Sequence, residues 1–427
     1  MKRLLEEHRR VGLDRVLELA HRHLGIDAVY IAELTSDCQI YRAVAGDARS
    51  FKLAVGDSSA EATYSQLLLS GEIDALIPDT SLDSRVANLR ATVEAGIGSF
   101  IGVPLLLSDG RLYGTLCGID HDPDQTLGER DVRFMAMLAE LVVYDLDEQR
   151  RQEQLRVGLM DVIETNNVDI ACQPIIDLRT GGCLGFEALA RFSEPFGSPD
   201  QTFAEAEEVG LGLELERLTI REAWKLLPLL GPEQFLALNV SPGALVELAG
   251  RALKRDDLPL SSLVIEVTEQ SIVRSYPELR SVLEPLRKDG LRTAIDDAGA
   301  GYASLHHVVE LRPDFIKVDR SLVDGVADDH ARRVAVSAFV LLSLDLGATV
   351  VAEGVERPRD LSTLCDLGVQ AAQGYLLGRP STRRDDLTRW SETPPSRTGV
   401  APEGAGRQTR SGLAHLRMSD ATIEPQG

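Results

Sequence analysis

The sequence predicts a multidomain α/β protein: an N-terminal α/β sandwich on an antiparallel sheet, followed by a (β/α)8 barrel of the TIM type. Three observations carry this expectation. The chain has 427 residues, and single hydrophobic cores stop growing at roughly 250–300 residues. The first 150 residues hold short β-rich runs with a tight-turn signal between two of them. The second half holds seven apolar runs, each handing over to a loop at an acid, an amide or a lysine. These are CLGFEALAR, FLALNVS, LVIEVTE, RTAIDDAG, FIKVDRS, ATVVAEGVE and VQAAQGYLLG, with Glu187, Asn239, Glu266, Asp296, Lys317, Glu353 and Gln373 at or just past their ends. Glu187 and Gln373 are 186 residues apart, so the six intervals average about 31 residues. One βα unit of such a barrel uses roughly 30, and the fold gathers functional groups at the C-terminal ends of its strands.

Taken in order, residues 1–150 open with a helical stretch, LDRVLELAHRHLG. The strands VYIAEL, YRAVAGD, ALIPDT, SFIGVPLLL and RLYGTLCGID follow. SDG at 108–110 marks a hairpin turn between the last two. Thr126-Leu127-Gly128-Glu129 reads as a capping box opening a long helix that carries Met135, Leu138, Val142 and Leu146. The helix is expected to continue through a linker at 151–166, with the option of pairing across a homodimer. The barrel then spans 167–388. Beyond it, SETPPSRTGVAPEGAGRQTRSG is too rich in Pro, Gly, Ser and Thr to bury a core, so 389–427 is expected to be a disordered tail.

Composition narrows the function. A net charge of −22 argues against nonspecific nucleic-acid binding, which needs Lys and Arg at phosphates. Five scattered cysteines without a CxxC pair argue against a disulfide framework or zinc ribbon and read as buried free thiols. No apolar run approaches the roughly 20 residues of a membrane span, and no apolar region follows MKRLLEEHRR to make a signal peptide. A cytoplasmic protein without a membrane partner is the expectation.

The strand-end residues suit a hard divalent cation, which favours oxygen ligands. Glu187, Glu266 and Asp296 are carboxylates, Asn239 adds a carbonyl oxygen, and Asp297 beside Asp296 allows one acid to bridge two ions. No histidine joins them; His306 and His307 read as helix surface. Together this favours Mg²⁺ or Mn²⁺ over zinc. Lys317 lies inside an apolar strand, where a lysine must be paired. It faces carboxylates or an attacking water, or it makes a plain ion pair with Asp319. Glu353 either completes a second ion site or accepts a proton from the water.

Two resemblances join this reading. IGVPLLLSDGRLYGTLCGID, followed by a helix containing FMAMLAELV, resembles a GAF domain, which implies sensing of a small ligand not identified by these residues, or dimerisation. The ordered set CQPIIDLRTGGCLGFEALARF, AEEVGL, LNVSPGAL, IEVTE, DDAGAGYASL, PDFIKVDRSLV, VAEGVE and QGYLLGRP resembles the EAL family of cyclic di-GMP phosphodiesterases. That resemblance implies a modified (β/α)8 barrel hydrolysing one phosphodiester of cyclic di-GMP to linear pGpG, with two metal ions per site. It implies a first ion on Glu187, Asn239, Glu266 and Asp296, and a second near Asp296, Asp297 and Glu353. Lys317 would hold the nucleophilic water. Gln173 and Arg191 match substrate-contacting positions; Gln373, which would also order the site, and Asp319 are grouped with them. Glu269 would steady the loop after Asp297.

The chain departs from the family's common DDFGTGYSSL at Ala298, Ala300 and Ala303, and carries Gln270 and Cys172 at two further unusual positions. No metal ligand is missing. The main alternative is a catalytically silent cyclic di-GMP receptor; a protein scaffold or a barrel enzyme on phosphorylated sugars stands further off. No GGDEF or GGEEF stretch suggests synthesis of the same dinucleotide.

Overall fold

The computed structural model describes residues 2–35, 38–59, 63–249, 259–268, 273, 275–300 and 304–392. The chain divides into two compact units at Leu155 and Arg156. Among the described residues no helix is long and apolar enough to cross a membrane.

The first unit runs α1 (Lys2–Leu24), β1 (Ala28–Leu34), β2 (Gln39–Gly46), β3 (Ser58–Ser59), α2 (Tyr64–Leu69), β4 (Leu76–Ile77), α3 (Arg90–Ala95), β5 (Ser99–Leu106), β6 (Leu112–Asp120) and α4 (Glu129–Thr165), the last helix running on into the second unit. Its six strands form one sheet in the order β3-β2-β1-β6-β5-β4, antiparallel throughout. Alternation along the strands gives the sheet two apolar faces. Ile101, Val103 and Leu116 pack with Met135, Leu138 and Val142 of α4 on one; Tyr30, Phe100, Cys117 and Ile119 pack with Tyr64 on the other. Each such buried side chain contributes about 1.5–3 kcal/mol. The hairpin at 108–110 is present: Leu107 N–H bonds to Arg111 O, and Gly110 supplies the positive φ of 81° that the turn requires.

The expected capping box is displaced. Thr126 Oγ1 donates to Asp124, and it is Asp131 that accepts from Gly128 N–H, so Gly128 rather than Thr126 precedes the helix. Asp131, the third residue of the helix, thus supplies the half of a capping box in which the side chain reaches back to the N–H of the residue before the helix. All five cysteines are free, but Cys365 is exposed and only Cys117 and Cys172 are fully buried.

The second unit contains β7 (Asp169–Asp177), β8 (Cys183–Arg191), α5 (Pro199–Glu208), α6 (Gly212–Trp224), β9 (Phe235–Asn239), α7 (Pro242–Ala249), β10 (Leu263–Thr268), α8 (Tyr276–Lys288), β11 (Arg292–Ala298), α9 (Ser304–Leu311), β12 (Phe315–Val318), α10 (Arg320–Val323), α11 (His330–Leu346), β13 (Thr349–Ala352), α12 (Pro358–Asp366), β14 (Ala371–Ala372) and α13 (Arg384–Glu392). Eight strands close a barrel in the order β10-β11-β12-β13-β14-β7-β8-β9. Seven are parallel, as the seven runs imply. The eighth, β7, runs antiparallel to both β8 and β14, which is what modifies the (β/α)8 plan. The helix α13 continues to Glu392, past the expected barrel end at 388; the rest of the expected tail, 393–427, lies outside the described residues.

The barrel interior is layered. Ala237, Val264, Ala294, Phe315, Val351 and Ala371 form an apolar floor with Ile175 and Phe235. Two residues further along six of these strands stand Asn239, Glu266, Asp296, Lys317, Glu353 and Gln373. Side chains on a strand repeat their direction every second residue, so the floor fixes a polar layer at the C-terminal mouth. On β7 the direction reverses, and the residue two positions before Ile175 is Gln173.

Candidate active site

The centre of the polar layer is Lys317, 1% exposed. Its Nζ lies 2.8 Å from Asp296 Oδ1, 2.9 Å from Glu353 Oε1, 3.0 Å from Glu266 Oε2 and 3.5 Å from Glu187 Oε2. Burial alone would lower the lysine pKa, but the surrounding Asp296, Glu187, Glu266 and Glu353 outweigh it and hold the ammonium well above its ordinary value. Burial pushes the Glu266 and Glu353 carboxyls well up, assisted by their acidic neighbours and opposed by Lys317. No described ion pair joins Lys317 to Asp319. Asp319 instead caps α10, accepting from Ser321 N–H.

The remaining residues extend this centre. Gln373 Nε2 donates to Gln173 Oε1 at 2.9 Å and to Glu187 Oε2, while Gln173 Nε2 donates to Gly378 O. Asn239 Nδ2 donates to Glu187 Oε1 at 3.2 Å. Gly374 beside Gln373 has no room for a side chain: a Cβ there would stand 2.2 Å from the Val355 backbone. Arg191 lies on the wall of a cleft of about 510 Å³ that also touches Glu187, Asn239, Asp296 and Asp297; its described hydrogen bond goes to Ala190 O. Glu269, Gln270 and Ala303 lie outside the described residues. Ala298 is buried against the core, and Cys172 packs in the same core cluster.

Consecutive residues on a regular strand point to opposite faces, yet Asp296 and Asp297 both reach the mouth. The reason is a bulge. The register of β11 against β12 slips between Ile295 and Ala298, and Asp297 takes φ 55°, a strained conformation for a residue with a Cβ. Burial, then the charge of Asp296, raises the Asp297 pKa to about 6.

Two acid groups have the geometry of cation sites. Glu187, Glu266 and Asp296 bring one oxygen each within 4.8 Å of one another, and so do Asp296, Asp297 and Glu353. The residues fit divalent hard cations on two counts. The donors are oxygens, and four carboxylates surround the single ammonium of Lys317. Gln373 Oε1 is a buried oxygen that accepts no hydrogen bond from any described residue.

Some placements differ from the sequence reading. His307 is buried and hydrogen-bonds Tyr276 through Nδ1 at 2.8 Å, whereas His306 is on the helix surface; neither belongs to the acid groups. Glu216 of α6 reaches the cleft and accepts from Ser241 N–H. Burial raises its pKa against the pull of that bond. In the sequence it is one more acid on an amphipathic helix and carries no signal.

Comparison with known proteins agrees with this architecture. The EAL domain family model matches residues 152–380, more than half of the chain, and the GAF domain model matches residues 9–146. The cyclic di-GMP phosphodiesterase NbdA of Pseudomonas aeruginosa is 30% identical over 315 residues, covering 70% of this chain and 38% of that protein. The cyclic di-GMP phosphodiesterase PA2567 of the same organism is 33% identical over 244 residues, covering 54% of this chain and 42% of the relative. The chain thus spans less than half the length of these curated relatives. Among solved structures, an EAL domain protein from Listeria monocytogenes is 25% identical with TM-score 0.50, covering 55% of this chain and 97% of that one. The EAL enzyme Bd1971, in its cAMP and cyclic-di-GMP bound form, is 18% identical with TM-score 0.51, covering 86% and 93%; that likeness is one of fold. The chain belongs to the EAL domain family and carries a GAF domain ahead of its EAL domain.

Proposed function

We propose that the protein is a metal-dependent phosphodiesterase that opens cyclic di-GMP to linear pGpG. The observation that carries this reading is the buried ring of Glu187, Glu266, Asp296 and Glu353 around Lys317, set beside a cleft that holds Arg191. Two phosphodiesterase relatives of about 30% identity support the substrate. Glu187, Asn239, Glu266 and Asp296 would hold one Mg²⁺ or Mn²⁺, and Asp296, Asp297 and Glu353 a second. Such ions supply Lewis-acid charge at the phosphoryl oxygens.

The chain's own groups do the rest. Carboxylates engaged with cations leave Lys317 N–H donors to orient the attacking water. Glu353 either completes the second ion site or takes the water's proton. The water oxygen bonds to phosphorus as the bond to the 3′-oxygen breaks, the departing oxygen takes up a proton from solvent water, and the proton drawn from the attacking water is released to solvent. Arg191 meets a phosphate oxygen with its fork of donors. Gln173 and Gln373 fix Glu187 and the adjoining rim, and Asp319 contributes to the substrate-facing wall beyond β12. Glu269 steadies the loop after Asp297.

The GAF domain is the proposed regulator. Its cavity of about 670 Å³, lined by Tyr30, Tyr41, Phe51 and Tyr64 with Lys52 and Arg90, suits a small ligand. Exposed Met137, Leu141 and Tyr144 on α4 support a homodimer. A cytoplasmic location belongs to the same reading, as does the absence of nucleic-acid and membrane partners.

The test is chromatography of cyclic di-GMP after incubation with Mg²⁺, Mn²⁺ or EDTA. Metal-dependent pGpG is expected from the wild type and none from Glu187→Ala. Binding of cyclic di-GMP without turnover under every metal condition would instead make the protein a receptor.

A further inference from the structure

We infer that Glu216 is a positioning residue for the acid ring, acting through the turn that carries Asn239. The inference rests on the proposed role of Asn239 as a metal ligand. β9 ends at Asn239 and α7 begins at Pro242, so only Val240 and Ser241 make the turn. Their backbone donors must be met by other elements. Val240 N–H bonds to Glu266 O of β10, which ties the turn to one ring acid. Ser241 lies past the strand and has no ladder partner among the described residues; its N–H goes to Glu216 Oε2 at 3.1 Å, from α6, whose Glu216 also lines the cleft. Ser241 in turn caps α7, its Oγ accepting from Ala244 N–H at 3.1 Å. Pro242 has no N–H to offer. Glu216 is thus the described group that holds the far end of the turn, while the Asn239 amide bonds to Glu187 at the near end.

Outer groups of this kind set the orientation of a ligand without touching the ion, and their loss typically weakens metal affinity by about 10–100-fold. The acceptor oxygen, not the charge, is what Ser241 N–H requires.

The experiment measures Mn²⁺ binding to the full chain by the electron paramagnetic resonance of free Mn²⁺, without substrate. Glu216→Ala should shift half-saturation to about 10–100-fold higher Mn²⁺, and Glu216→Gln, which keeps an acceptor oxygen, should bind close to wild type. Unchanged Mn²⁺ binding in Glu216→Ala overturns the inference. So does a loss in Glu216→Gln equal to that in Glu216→Ala, which would assign the effect to charge. Should Glu216→Ala fail to fold, Glu216→Asp takes its place: its shorter reach should weaken binding, and wild-type binding there overturns the inference. A wild type that takes up no Mn²⁺ refutes the metal-site reading itself, and the inference with it.

Discussion

The two domains bury polar groups in opposite ways. In the GAF domain the buried polar side chains are neutral, and several meet one another: Tyr64 pairs with Thr92 at 2.7 Å, Thr115 donates to Ser65 at 2.8 Å, and Thr63 donates to Gln39. Burial pushes the Cys117 thiol up to about 11, leaving it a small core residue. In the EAL domain, by contrast, one lysine and its carboxylates are drawn from five different strands into one layer. A neutral hydrogen bond is worth about 0.5–1.5 kcal/mol net, whereas desolvating a charge costs several kcal/mol per ion. Buried hydroxyls are therefore an ordinary part of holding a fold together. A buried ring of like charges is not, and under the proposed function it is where the chemistry is done.

The sharpest test of this contrast removes the single cation. Lys317→Met should abolish hydrolysis and destabilise the barrel by about 3–5 kcal/mol, because it strands buried carboxylates. Urea denaturation followed by chromatography of cyclic di-GMP measures both, and a loss below about 1 kcal/mol, the scale of an ordinary hydrogen bond, would erase the distinction between the domains. A smaller effect comes from adding charge back. Mn²⁺ at a hundredfold excess over its Kd should stabilise the barrel by about 2.7 kcal/mol, with EDTA reversing the gain and the GAF transition unmoved in calorimetry. The smallest probes the other domain. Tyr64→Phe removes the hydroxyl that meets Thr92 and should lower GAF stability by about 1 kcal/mol, read from the GAF transition in calorimetry with the barrel transition unmoved.

What can be read from the sequence follows the same physics. An acid or lysine that ends an apolar, β-branched run violates the expected pattern, so Glu187, Glu266, Asp296, Lys317 and Glu353 stand out from residue types alone. Gln173 does not, because its strand runs backwards and its polar residue sits in mid-run; only a family motif points to it. The convergence of Asp296 and Asp297 depends on a bulge, which a string of residue types does not encode visibly. Thr126 and Gly128 show that a cap motif can slip by two residues when a nearby aspartate competes for the same donors. Glu216 gives no sign of itself, since a helix acid looks alike whether it faces water or a backbone N–H. His307 misleads for the related reason that two adjacent histidines on a helix point in different directions.

The antiparallel strand β7 has a consequence for synthesis. It enters the barrel first, yet one edge of the barrel closes only when β14 reaches it, at Ala371 opposite Asp177 and Ala372 opposite Ile176. Gln173 and Gln373, which meet across that seam, are 200 residues apart. At roughly 5–20 residues per second, a ribosome takes about 10–40 s to make the chain between them. Throughout that interval the seam between β7 and β14 stays open, so the contact of Gln173 with Gln373 is made only at the end of it.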